Sequence, residues 1–336
     1  MTDRTERMTA FLDRAGWGAA VRTALAGDAS NRHYLRLSGP HQAVLMDAPP
    51  ERGESVAPFI RVARHLTSIG LSAPEIIAAD PENGFLLLED LGDDLFARVI
   101  ARDRGAEKQL YSAAVDVLAH LHAHPPPEDP RYGPEEMAAA ARLAWTWYRN
   151  GAIGDAEGED AFHQEIRALL RLHVPDTSVL VLRDFHAENL IWLPQRVGVA
   201  RVGLLDFQDA AAGHPIYDLV SLVADVRRDV SLSVHRAMLA RYSESCGMER
   251  AHVDLAAALL GVQRNLRILG TFARLCLRDG KPRYLDLLPR VWNLLQADLD
   301  HPALTSLARR VRRDLPPPDS PVLDRLRSAC LTAPTR

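Results

Sequence analysis

The chain has almost no lysine. Of its 40 cationic residues only Lys108 and Lys281 are lysines, so any step that needs an ammonium group has two candidates. Cysteine is scarce as well: Cys246, Cys276 and Cys330 are odd in number and far apart, which argues against a disulfide framework and against a Cys-x-x-Cys metal or redox site. No run of about 18 apolar residues occurs, and the first residues (Asp3, Arg4, Glu6, Arg7) are too charged for a secretory signal, so a cytoplasmic protein with no membrane partner is expected. Basic charge is not in excess either. The 40 Lys+Arg against 44 Asp+Glu leave −4, and nucleic acid is not an expected partner.

What the sequence does contain is 336 residues, 47% of them hydrophobic, enough for two lobes at roughly 100–200 residues each. Residues 32–37 (RHYLRL) and 42–47 (QAVLMD) are β-rich and are separated by Ser38-Gly39-Pro40, which predicts a hairpin. The polar stretch Gly27-Asp28-Ala29-Ser30-Asn31 reads as a turn between two strands. Apolar spacing predicts a helix over 56–69, followed after Pro74 by strands near 75–77 and 85–88.

Beyond Glu89-Asp90-Leu91-Gly92 helices predominate, over 107–122, 134–149, 162–172, 217–224 and 253–276. A β-rich insert at 179–207 interrupts them, and each of its apolar runs abuts acids, amides or histidines, a way of projecting polar groups into a cleft. The expected fold is α+β and bilobal: a small β-rich lobe over about 20–89 and a helical lobe over about 93–336, meeting at 89–92 where a ligand would bind.

The strongest chemical signal is Arg183-Asp184-Phe185-His186-Ala187-Glu188-Asn189, followed by Leu204-Leu205-Asp206-Phe207. An Asp and an amide five residues apart, with a second Asp after the next hairpin, suit a divalent cation and a hydroxyl to be activated. Mg²⁺ takes oxygen ligands and is usually held by one or two carboxylates plus substrate phosphates, a task for Asn189 and Asp206. Asp184 would then accept the proton of the attacking hydroxyl.

These residues match the D-x-x-x-x-N loop and the D-F pair of the protein-kinase-like fold in the form used by the aminoglycoside phosphotransferase family, which the chain resembles over nearly its whole length. A narrower set of segments, 27–34, 44–50, 182–189, 205–210 (LDFQDA) and 263–273 (QRNLRILGTFA), is similar to the anomeric N-acetylmuramate/N-acetylglucosamine kinases of bacterial cell-wall recycling. The resemblance implies an ATP- and Mg²⁺-dependent, monomeric sugar kinase acting at the C1 hydroxyl. By it, residues 1–89 form the nucleotide-binding lobe and 90–336 the catalytic and substrate-binding lobe.

The same resemblance makes Asp184 the base and Asn189 and Asp206 the metal ligands. It assigns Gly27, Asp28, Ala29, Ser30 and Asn31 to the loop over the phosphates, and Glu89, Asp90 and Leu91 to the hinge that reads adenine. One departure stands out: Met46 occupies the place of the usual third-strand lysine, which leaves an arginine such as Arg32 as the phosphate-pairing cation.

On the acceptor side, His186 lies inside the catalytic loop, and Trp145 and Tyr148 supply aromatic faces suited to sugar C–H edges. Arg149 and Arg142 are candidates for a lactyl carboxylate. Asp218 reads as a brace for the catalytic loop or as a helix cap. His120, His122 and His124 sit where a helix ends and favour its carboxyl-end dipole over a metal. Two other readings stay open: the same fold acting on an aminoglycoside, a choline-like alcohol or homoserine, and a non-catalytic nucleotide-binding scaffold, suggested by the missing lysine.

Overall fold

Alternation of side chains decides how the first part of the chain is built. The computed structural model describes residues 3–25, 31–39, 41–127 and 130–332. Strands β1 (Val21–Ala24), β2 (His33–Ser38), β3 (Gln42–Asp47), β4 (Ile76–Asp80) and β5 (Phe85–Glu89) form one antiparallel sheet in the order β1-β2-β3-β5-β4. Because the pleat has a period of two, Leu37, Ala43, Leu45, Phe85 and Leu87 fall on one face, where the helix Arg4–Arg14 covers them with Phe11 and Leu12. Tyr34, Arg36, Val44, Met46 and Leu88 fall on the other, paired across strands as Tyr34 with Met46 and Arg36 with Val44.

The helix expected over 56–69 is Ala57–Ser68, with Pro58 in its first turn and a buried stripe of Phe59, Val62, Ala63 and Leu66. The hairpin Leu190–Trp192 with Val202–Leu204 packs with this part of the chain, through bridges from Ser72 to Gly203 and from Leu95 to Ile191. Two compact units follow: Met1–Leu121 with Ala187–Ala210, and His122–His186 with Ala211–Arg336. Packing thus groups the chain differently from the role-based boundary at 89/90: residues 90–121 fall in the first unit, and so do 187–210, which bridge to Ser72 and Leu95.

In the second unit the insert read as one β element loses its first strand. Val179–Val181 pairs not with 190–192 but with Ala211–Gly213, which also pairs with Arg131–Tyr132. The helix Arg250–Leu277 forms the centre of this unit and is buried along most of its length. The single helix expected over 134–149 is instead an α-helix, Pro134–Ala141, followed by a π-helical turn, Ala144–Arg149.

Gly270 accounts for the break. A Cβ there would lie 2.1 Å from the carbonyl carbon of Leu143, so the two backbones touch and the shorter helix is displaced from regular α geometry. Among the described residues no helix is long and apolar enough to cross a membrane. Gly270→Ala is expected to lower stability by about 1–3 kcal/mol through overpacking against backbone that cannot turn aside; urea denaturation reads the loss, and wild-type stability in the variant would contradict the close approach.

Candidate active site

The first unit holds a cavity of about 270 Å³ on the Tyr34–Val44 face of the sheet. Its walls are largely apolar, with Leu25, Val44, Leu88, Ile191 and Leu205 among them, and the segment Glu89-Asp90-Leu91-Gly92 forms one side. Slots of this kind, apolar with a strip of peptide at the edge, suit a flat heteroaromatic base. The polar end carries Asn189 and Asp206.

Asn189 and Asp206 come together as the sequence implies. Asn189 Nδ2 points to Asp206 Oδ2 at 3.4 Å, and Gln208 Nε2 donates to Asp206 Oδ1 at 2.7 Å. Leu205 N–H donates to the Asn189 carbonyl at 2.9 Å, which ties the two loops at their bases. Asp206 has φ +56°, a left-handed backbone that Asp tolerates better than most residues. Phe207, next in chain, packs its ring 4.8 Å from that of Phe59, so the helix Ala57–Ser68 fixes the turn. One carboxylate and one amide oxygen make a donor set that fits Mg²⁺, whose remaining positions go to water and phosphate. No cluster of three or more His, Cys, Asp or Glu that could form a full protein cage occurs among the described residues.

The other nucleotide-side candidates divide. Gly27, Asp28, Ala29 and Ser30 lie outside the described residues. Asn31 bonds through its main-chain N–H to Glu54, and Arg32 Nε pairs with Glu54 Oε2 at 2.9 Å. Arg32 also bonds to Tyr34, whose hydroxyl burial pushes up to about 12, with Asp206 and Glu54 adding to the rise. Met46 is buried against Tyr34 and Leu86, so the lysine position is apolar. Asp90 holds Arg36 at 2.7 Å and Glu89 pairs with Arg196; Leu91 packs with Ile191 and Leu193. The Asp90, Glu89 and Arg36 charges are therefore neutralised within the wall.

Asp184 belongs to the second unit, in a turn whose preceding residue, Arg183, has φ +71°. A left-handed non-glycine residue costs about 1–2 kcal/mol. Asp218 offsets it, accepting the N–H of Leu182 at 2.5 Å and of Arg183 at 2.8 Å, bonds that contribute about 0.5–1.5 kcal/mol each to a neutral carboxyl and more to an ionised one. Burial pushes the Asp218 carboxyl up to about 7, while the two amide donors draw it down. The Arg183 guanidinium lies over the Tyr132 ring at 4.5 Å and Tyr132 meets Tyr217 edge-on, so the side chain is fixed as well as the backbone.

His186 is buried and Arg227 Nη1 lies 2.9 Å from its Nε2, which makes that nitrogen the acceptor and the imidazole neutral. Burial first and the Arg227 charge second hold it down at about 3. Trp145, Tyr148 and Arg149 turn inward: Trp145 stacks on Phe162 at 4.0 Å, the Tyr148 hydroxyl donates to the Pro316 carbonyl at 2.8 Å, and Arg149 pairs with Asp155 and the Asp314 carbonyl. Arg142 is held by Glu159 and Asp160. His122 bonds to the Tyr242 hydroxyl at 2.6 Å, the use of a core histidine.

The Phosphotransferase enzyme family model matches residues 21–257. A curated relative from Caulobacter vibrioides, N-acetylmuramate/N-acetylglucosamine kinase, is 39% identical over 94% of this chain and 98% of its own. In fold the chain is similar to a choline/ethanolamine kinase family protein from Mesorhizobium loti (TM-score 0.64, 16% identity, 93% of this chain and 100% of that one). It is also similar to the streptomycin–ATP ternary complex of APH(2")-IIa (TM-score 0.61, 15% identity, 88% and 97%).

An imidazole buried neutral is protonated once unfolding releases it, so His186 contributes stability above about pH 6.5 that is lost as pH falls toward 3. The stability gap between wild type and His186→Asn is expected to narrow by about 1.4 kcal/mol per pH unit below about pH 6. Urea denaturation at pH 7, 6 and 5 measures it, and a gap independent of pH would contradict the neutral assignment. With a match over residues 21–257 and a sheet, metal-type loop pair and braced aspartate to go with it, the chain belongs to the phosphotransferase enzyme family.

Proposed function

We propose that the chain transfers the γ-phosphoryl group of ATP to the anomeric C1 hydroxyl of N-acetylmuramate and N-acetylglucosamine, as a step of peptidoglycan recycling. The observation that carries the acceptor is the 39% identity, over nearly all of both chains, to the Caulobacter vibrioides kinase of that name. ATP as donor is supported by the apolar cavity beside the 89–92 peptide strip and by the ATP-containing complex of a phosphotransferase of similar fold.

Asp184 accepts the proton of the sugar hydroxyl as its oxygen forms the new bond to phosphorus and the bond to the β-phosphate oxygen breaks, releasing ADP. Asn189 and Asp206 would hold a divalent cation, which would supply positive charge against the phosphates of the nucleotide. Arg32, fixed by Glu54, supplies the cation that a third-strand lysine would give, its guanidinium able to grip phosphate oxygens in a fork. On this reading residues 1–89 form the nucleotide-binding lobe and 90–336 the catalytic and substrate-binding lobe, which lends the 90–92 strip and the Asn189–Asp206 pair to the nucleotide cavity.

With ATP, Mg²⁺ and either sugar the protein is expected to yield the sugar 1-phosphate, read by ³¹P NMR; no product from either sugar overturns the acceptor. Asp184→Asn is expected to lower kcat by about 100-fold or more, the usual scale for a positioned base, while nucleotide affinity stays close to wild type. Arg32→Met is expected to raise KM for ATP by about tenfold or more, the loss of a charge-assisted phosphate contact. An unchanged KM would remove Arg32 from the phosphates.

A further inference from the structure

Arg264 sits on the helix Arg250–Leu277 with 3% of its surface exposed. Its Nη2 donates to Ser221 Oγ at 2.9 Å, while Nε and Nη1 are buried with no hydrogen-bond partner. A buried guanidinium costs several kcal/mol of lost hydration, and one neutral hydrogen bond, at about 0.5–1.5 kcal/mol, does not offset that. The carboxylates that act on it, Asp184, Asp225, Asp218 and Asp298, do so without a direct hydrogen bond to its guanidinium. For stability alone, a Leu or Met here would do as well or better. The charge therefore needs another account.

The second bond of the chain supplies one. Ser221 Oγ donates onward to the Arg183 carbonyl at 3.5 Å, on the left-handed residue directly before Asp184. Asp218, one turn earlier on the same helix Tyr217–Val223, takes the N–H of Arg183. Both sides of the Arg183 peptide environment are thus held from one helix face, and Arg264 orients the hydroxyl that holds the carbonyl side. We propose that Arg264 is a positioning residue for phosphoryl transfer, acting through Ser221 on the backbone that presents Asp184. The inference rests on Asp184 being the base.

Steady-state kinetics of Arg264→Met, Arg264→Lys, Ser221→Ala and the Arg264→Met/Ser221→Ala pair test it, each variant shown to be folded by its thermal transition. Arg264→Met and Ser221→Ala are expected to lower kcat by about tenfold or more with KM for ATP unchanged, since a base displaced by about 1 Å costs up to 100-fold. Arg264→Lys, which keeps the charge and one donor, is expected to recover part of the loss. The double variant is expected to be no worse than the poorer single one, because both act on one chain of contacts.

Wild-type kcat in folded Arg264→Met and Ser221→Ala would overturn the proposal, as would additive losses in the pair. Asp184→Asn separates the two readings. If that variant keeps full turnover the base assignment falls; if it is inactive while the Arg264 and Ser221 variants are fully active, only the positioning role falls.

Discussion

The structure depends on one buried carboxylate. Asp218 gathers the amides of Leu182 and Arg183 and so holds a left-handed turn that a lone Arg would not adopt. Two bonds of about 0.5–1.5 kcal/mol each, and more when the carboxyl is ionised, offset a backbone cost of about 1–2 kcal/mol, so the turn is held in place. Removing the carboxylate reverses that balance, and the next residue in line is Asp184. Preorganisation matters more here than in most chemistry, because phosphoryl transfer asks the protein for position and charge and for little else.

The first unit solves a different problem with the same economy. Its one lysine, Lys108, lies on the helix Glu107–His122 and not on the sheet, whose face is apolar at Met46, the position that the resemblance assigns to a lysine. Charge enters instead as arginines already anchored to acids: Arg32 to Glu54, Arg36 to Asp90, Arg196 to Glu89. Anchoring restricts the guanidinium before any ligand arrives, which lowers the ordering cost of binding. It also leaves the wall of the cavity close to neutral, so that the negative end is the Asn189–Asp206 pair.

Much of this was legible in the sequence, and the reasons differ by element. The hairpin at 32–47, the helix at 57–68 and the strand at 85–89 follow from local period and turn chemistry, which act over a few residues. The approach of Asn189 to Asp206 was legible because residue type and spacing restrict what such a pair can do, and the brace at Asp218 because an acid opens an apolar helix; the role of Asp184 stays a proposal. The partner of Val179–Val181 was not legible, since pairing with Ala211–Gly213 is a choice between distant strands that local pattern does not encode. The π turn at 144–149 depends on Gly270, more than 120 residues away. For the same reason Trp145, Tyr148 and Arg149 read as a sugar platform but are turned inward by Phe162, the Pro316 carbonyl and Asp155. Arg264 carried no signal of its own within a long apolar helix. Its meaning comes only from Ser221 and the peptide beyond it.

The most direct test is the turnover number of Asp218→Asn, an isosteric change that removes one of the two acceptors, set beside its calorimetric affinity for MgADP. The account predicts a folded protein that has lost roughly two orders of magnitude in kcat and binds the nucleotide as wild type does. Undiminished turnover in that variant would contradict it.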